Sequence, residues 1–143
     1  MRDVELAKEL LSNKRASLVI VKGGKTLFES GSSGIYGLLQ AIEKLKKKMS
    51  GSSVADRVIG RAAALLLAYS HVNEVYAPVL SKEGQKVLEE NNIKVEYLNL
   101  VQKILDQMGK NICPFERFSS EIKSPNEAYK QLKNFAQNLK NVK

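Results

Sequence analysis

A chain of 143 residues, 43% hydrophobic and 27% charged, is long enough to bury one core and has the composition of an ordinary globular protein. A single cysteine excludes an internal disulfide and a cysteine-rich metal cluster, and the longest apolar run, residues 62–69, falls far short of a membrane span. The opening MRDVELAKEL carries charges of both signs and is no secretory leader, so the expectation is a cytoplasmic protein with one domain over 1–143 and no membrane partner.

The net charge of +8 favours anionic partners in general. It is spread, however, over Lys44, Lys46, Lys47 and Lys48 and then Lys123, Lys130, Lys133, Lys140 and Lys143. With no tryptophan, and with these positions expected on solvated helix faces, the pattern favours solubility over nucleic-acid binding.

In chain order, residues 3–12 place Val4, Leu6, Ala7, Leu10 and Leu11 on one face of a helix. Residues 16–21 (ASLVIV) form a continuous apolar run, as in a strand covered on both sides. Gly23-Gly24 then allows a two-residue hairpin turn into residues 25–30. A small polar loop, Ser30-Gly31-Ser32-Ser33-Gly34, leads into a helix over about 35–49, with Leu38, Leu39, Ile42 and Leu45 inward. Residues 50–53 are a second such loop, and the segment behind them, VADRVIGRAAALLLAY, reads as a central helix apolar on most sides. Residues 72–77 predict a strand, 82–90 a helix closed by Asn91-Asn92, and 93–98 a strand parallel to the first by a right-handed crossover. Residues 100–108 predict a short amphipathic segment. Cys113-Pro114-Phe115-Glu116 and Ser124-Pro125-Asn126-Glu127 each predict a helix start, the last helix burying Tyr129, Leu132, Phe135 and Leu139. The order describes a three-layer α/β/α sandwich on a small mixed sheet.

Val54-Ala55-Asp56 opening the central helix, and Pro78-Val79-Leu80-Ser81-Lys82 at the start of the next, resemble the cytidine deaminase-like fold. Working members open those helices with His-Ala-Glu or Cys-Ala-Glu and with Pro-Cys-x-x-Cys. The resemblance puts Asp56 where their acid/base glutamate stands and Val54, Val79 and Lys82 at the metal positions, which implies no zinc and no other cofactor. The segments LVIVKGGKTLFES, SGSSGIYGLL, GSSVADRVIGRAAALLL, VYAPVLSKEG and NICPFE together are similar to the DUF1893, or TM1506-like, family, a zinc-free branch of that fold. That resemblance implies a fold and not a reaction.

Several residues admit two readings. Ser53 and Asp56 have the spacing of a capping box, and equally Asp56 is the candidate acid/base at an anion-binding helix start. Arg57 and Arg61, at i and i+4, are either a clamp for a phosphate or carboxylate or partners of acids such as Glu29 or Glu116. Gly60, inside the expected helix, suggests close approach of a neighbour. Lys22, at a strand end, is either solvated or turned toward the same site, and Ser32, Ser33 and Gly34 are either a plain helix cap or a phosphate cradle. Cys113, at a helix start, is either a small buried hydrophobe or a nucleophile in the pocket, and Glu116 is placed to cap its own helix. His71 is placed as a capping residue behind the central helix.

The resulting expectation is a metal-free pocket over the first turn of the central helix. Asp56 and Cys113 are its candidate catalytic residues, and Lys22, Ser53, Arg57 and Arg61 bind a small anionic or nucleotide-like ligand. The competing expectation is an interaction or regulatory domain working through its charge or through an apolar edge strand near 95–98. Oligomeric state is left open.

Overall fold

In the computed structural model, residues are described throughout except 14, 33, 107, 142 and 143 and the side chain of Asn141. Ser33 and Lys143 therefore lie outside the described residues. Helix α1 (Asp3–Asn13) buries Val4, Ala7 and Leu11, which recur at helical spacing. The hairpin of β1 (Leu18–Lys22) and β2 (Lys25–Ser30) turns through Gly23 and Gly24, whose φ of 60° and 76° suit glycine. The Asp3 carboxylate accepts both turn N–H groups, at 2.8 and 2.9 Å, and so fastens α1 to the hairpin. Helix α2 (Tyr36–Leu45) continues into a 3-10 turn at Lys46–Met49, with Leu38, Leu39, Ile42 and Leu45 buried as predicted.

The stretch expected to open the central helix is instead extended. β3 (Ser53–Asp56) and β4 (Val58–Ile59) both pair in parallel with one edge of β5 (Glu74–Ser81), Ser53 opposite Glu74 and Ile59 opposite Leu80. Their register is continuous, so they are two halves of one strand broken at Arg57. The break faces Pro78, which has no N–H to give to a ladder. Beyond it the Arg57 carbonyl accepts the Val79 N–H at 3.1 Å and pairing resumes. Only then does the central helix α3 (Arg61–Tyr69) begin, with Gly60 as its N-cap. The capping box is therefore absent, and Arg57 and Arg61 do not share a helix face. The β-branched Val54, Val58 and Ile59 and a waiting sheet edge outweigh the local Ser-x-x-Asp spacing.

β5 runs through Pro78 to Ser81, longer than the predicted 72–77, and α4 (Lys82–Glu90) has the predicted span. The Ser81 hydroxyl caps α4 by accepting the Gly84 N–H at 2.9 Å. β6 (Lys94–Val101) pairs in parallel with the other edge of β5. Residues 100–108, expected as a helical segment, are, apart from Gln107 outside the described residues, the end of β6 and an irregular stretch held by a bridge between Leu105 and Ile112. Helices α5 (Pro114–Ser119) and α6 (Pro125–Asn141) start at the two predicted prolines.

Counting β3 and β4 together, the sheet runs β2, β1, β3/β4, β5, β6, with β1 antiparallel to both neighbours and the rest parallel. The larger core packs α2 to α6 against Leu18, Ile20, Val54 and Ile59. Alternate residues Val19, Val21, Ala55 and Tyr76 face the opposite way, and α1 covers them. The three-layer α/β/α sandwich on a mixed sheet is thus the arrangement found. Among the described residues, no helix is long and apolar enough to cross a membrane.

Candidate functional site

The break between β3 and β4 opens a cavity of about 230 Å³. Asp56, Cys113 and Glu116 bring polar groups to it, and Ile35, Val58, Ala63, Ile104 and Phe115 form an apolar wall. Asp56 closes β3, is only 7% exposed and lies opposite Leu18 of β1. Burial pushes its carboxyl up to about 8, although the backbone N–H groups of Val58 and Arg57 pull the other way. At neutral pH Asp56 is therefore mostly a neutral acid, able both to donate and to accept a hydrogen bond. Cys113 is half-buried at the N-cap of α5, its own N–H donated to the Ile104 carbonyl at 3.0 Å.

Glu116 does something the sequence reading did not assign to it. Rather than capping its own helix, it reaches across to the start of α3. There Oε1 accepts the Arg61 N–H at 2.6 Å and Oε2 the Ala62 N–H at 3.0 Å. The first-turn donors expected to hold an external anion are thus already bonded to a carboxylate of the chain itself. Burial raises the Glu116 carboxyl above its ordinary range, opposed by those two N–H groups and by the Arg61 charge.

Gly60 makes this cap possible. A Cβ there would collide with Glu116 Oε1 and Cδ. Close approach is therefore the role of Gly60, though at the N-cap rather than inside a helix. Gly60→Ala is expected to evict the carboxylate and destabilise the fold by about 2–3 kcal/mol, read as a lower urea midpoint at unchanged m-value. A midpoint equal to wild type would mean that the cap is dispensable.

The other expected site residues divide. Arg57 lines the cavity, but its guanidinium donates Nε to the Ala16 carbonyl at 2.7 Å and Nη2 to the Leu11 carbonyl at 2.9 Å, tying down the end of α1. Arg61 points away, donating to the Ser119 and Ile122 carbonyls at 3.0 and 2.7 Å and lying 3.5 Å from Glu83. Ser53 is buried at the opposite end of β3 from Asp56, paired with Val21. Lys22, next to Val21, reaches the Lys48 carbonyl at 3.4 Å. Neither Ser53 nor Lys22 lines the cavity with Asp56 and Cys113. Gly34 does line it, whereas Ser32 bonds back to Ser30 Oγ at 3.1 Å. His71 follows the C-cap of α3 in left-handed backbone, φ 57°, a capping position.

The cavity's apolar wall and the Glu116 cap were missed in the sequence. Their only local signals are Gly60 directly before RAAALLLAY and a glutamate two residues into a Pro-initiated helix. Among the described residues, no three His, Cys, Asp or Glu side chains are grouped so as to hold a metal ion. Val54-Ala55-Asp56 does not open a helix and Pro78 and Val79 lie within β5, so of the positions matched to the deaminase motifs only Lys82 falls at a helix start. The helix starts present Gly60-Arg61-Ala62 and Ser81-Lys82-Glu83 instead.

A crystal structure of a DUF1893 family protein, TM1506, from Thermotoga maritima matches with a TM-score of 0.83 at 28% identity, over 92% of this chain and 88% of that one. RibD from Acinetobacter baumannii, in its form 1, matches with a TM-score of 0.51 at 16% identity, over 67% of this chain and 34% of that one, a likeness of fold alone. A dCMP deaminase from the cyanophage S-TIM5 matches with a TM-score of 0.49 at 17% identity, over 66% of this chain and 93% of that one. No curated protein matches the chain. The family described as "TM1506: Domain of unknown function (DUF1893)" matches residues 6–136, and the chain belongs to it.

Proposed function

We propose that this chain is a zinc-free, deaminase-like domain that binds a small molecule in the cavity at the start of α3, and that the bound group is an uncharged, hydrogen-bonding ring rather than a phosphate. The observation that carries this reading is the placement of Asp56 in a mostly apolar cavity where the other acid among the described lining residues, Glu116, already caps a helix. A volume of about 230 Å³ suits a single ring of nucleobase size. A dry cavity of about 150 Å³ accepts benzene, and drug-sized ligands need roughly 300 Å³ or more.

The anionic part of the sequence expectation loses its physical basis, because the helix-start donors are taken and the guanidinium groups of Arg57 and Arg61 bond to carbonyls. A neutral Asp56 instead matches the donor–acceptor edge of an amide or a nucleobase. The zinc-free reading rests on donor chemistry, since zinc takes thiolate, imidazole or carboxylate ligands. At the two helix starts the carboxylates are already engaged, Glu116 by the N–H groups of Arg61 and Ala62 and Glu83 by the Arg61 guanidinium, and Val54 and Val79 offer no donor atom. Cys113 shares the cavity and is the candidate nucleophile for any covalent step.

The test is a thermal-shift screen of neutral heterocycles, amides and inorganic phosphates, followed by calorimetry on the hits. Neutral ring compounds are expected to raise Tm, Asp56→Asn and Cys113→Ser to weaken binding at least fivefold while keeping the fold, and affinity to fall above pH 8. Stabilisation by phosphates alone, or hits that bind both variants normally, refutes the assignment. β6 favours a second reading, an interaction domain, because Tyr97, Leu98 and Leu100 are 37%, 64% and 37% exposed on an edge strand. Concentration-dependent sedimentation abolished by Leu98→Lys would support it.

A further inference from the structure

The lysines that lie in separate blocks of the sequence meet in space. Along the junction of α2 and α6 run two adjoining depressions, of about 920 and 220 Å³, which share Glu43, Tyr129 and Lys133 as common wall. Lys46 and Lys47 stand at one end of this groove, Lys133 midway and Lys140 at the other end. Among the described lining residues Glu43 is the one carboxylate, and it lies 4.0 Å from Lys133. Even with that pair neutralised, an excess of positive charge remains along the groove.

The fold sets tyrosines from three helices among these lysines. Tyr69 from the end of α3 stacks on Tyr129 of α6, centroids 5.5 Å apart and planes at 18°. Lys133 Nζ lies 5.5 Å from the Tyr129 ring centre, and Lys140 Nζ lies 4.8 Å above Tyr36 at the far end. Lys46 and Lys47 also sit where the C-terminal dipole of α2 attracts cations. That accounts for their sign and not for the tyrosines between the lysines. Lysines alone suit any polyanion, whereas rings interleaved with them suit one whose charges alternate with flat bases.

We infer that the groove between α2 and α6 binds single-stranded nucleic acid, with phosphates on its lysines and bases against its tyrosines. The site is separate from the cavity of Asp56, since Tyr69 closes the C-terminal end of α3 and Gly60 opens its N-terminal end. The α2 wall, of ten residues, spans about 15 Å, enough for a few nucleotides.

Fluorescence polarisation of the intact protein with a labelled single-stranded oligonucleotide of mixed sequence tests this. Binding is expected at low salt, with log K falling by roughly 2 for each tenfold rise in salt. Lys46→Glu with Lys47→Glu is expected to weaken binding at least tenfold and to flatten that slope by about 1.4. The same charge change at Lys86 and Lys94, on α4 and β6, is expected to leave affinity within twofold. Tyr129→Leu is expected to weaken binding about tenfold with the slope unchanged; should it not fold, the two lysine pairs decide between them. Equal losses from both lysine pairs would reduce the effect to net charge and overturn the proposal. Equal affinity for a duplex of the same sequence, or binding to vesicles of anionic lipid without binding to the oligonucleotide, would overturn it as well.

Discussion

Replacing Glu116 by alanine is expected to lower the unfolding free energy by about 2–4 kcal/mol at pH 7. The variant loses two charge-assisted hydrogen bonds, at 2.6 and 3.0 Å, and leaves the N–H groups of Arg61 and Ala62 without acceptors at the start of a buried helix. Release of a carboxylate whose burial is unfavourable returns part of that loss, which is why the expected figure lies below the sum for two such bonds. Glu116→Gln keeps one acceptor but turns an NH2 group toward a donor, so it should fall roughly midway. In combination with Gly60→Ala the effects should be far from additive, because both substitutions remove the same contact. Urea unfolding of the single and double variants reads all of this, and a Glu116→Ala midpoint matching wild type would show that α3 is not held by that carboxylate.

The second large effect is on pH dependence. Asp56 titrates near its ordinary 3.8 when unfolded and near about 8 when folded. Between those values the folded chain keeps a proton that the unfolded chain has lost, so stability must fall as pH rises, by about 1.4 kcal/mol per unit where the difference is complete. The accumulated loss reaches about 5 kcal/mol by pH 8. Glu116, also raised by burial, adds a loss of the same sign that begins above its ordinary 4.5. Wild-type Tm should therefore drop steadily from pH 5 to 8. Asp56→Asn, which preserves shape and hydrogen-bonding capacity but cannot ionise, should show a much flatter profile and melt above wild type at pH 8. Parallel profiles for the two proteins would mean that Asp56 is ionised in the fold, and the cavity would then present a charge rather than a neutral acid.

What was readable from sequence follows the range of the forces involved. Gly23-Gly24, the span of α4 and the starts of α5 and α6 are set by turn and capping chemistry within a few residues, and each is where the residues predict it. The stretch from Ser53 to Ile59 was misread because its local cue, a serine three residues before an aspartate, favours a helix start. Its actual state is decided by β1 and β5, which offer hydrogen-bonding edges from far along the chain. The Asp56 and Cys113 side chains do line one cavity, but the wall between them comes from Ile35, Ile104 and Phe115, whose apolar character announces nothing about location. A helix start at Ser53 would put Ser53 beside Asp56, with Lys22 reaching over from its strand end; as a strand, β3 holds Ser53 and Asp56 at opposite ends, with Lys22 beyond the Ser53 end.

The two sides of the sheet are unequally guarded. One carries five helices, while the other depends on eleven residues of α1. That lone helix is moored at its margins by two ion pairs, Arg2 to Glu74 and Lys8 to Glu96, and by two charged groups on backbone, the Asp3 carboxylate at the hairpin turn and the Arg57 guanidinium at its tail. Dissolved salt weakens such moorings and leaves apolar packing intact. Brine should therefore fray the two ends of this helix first, while Val4, Ala7 and Leu11 go on shielding Val19, Val21, Ala55 and Tyr76.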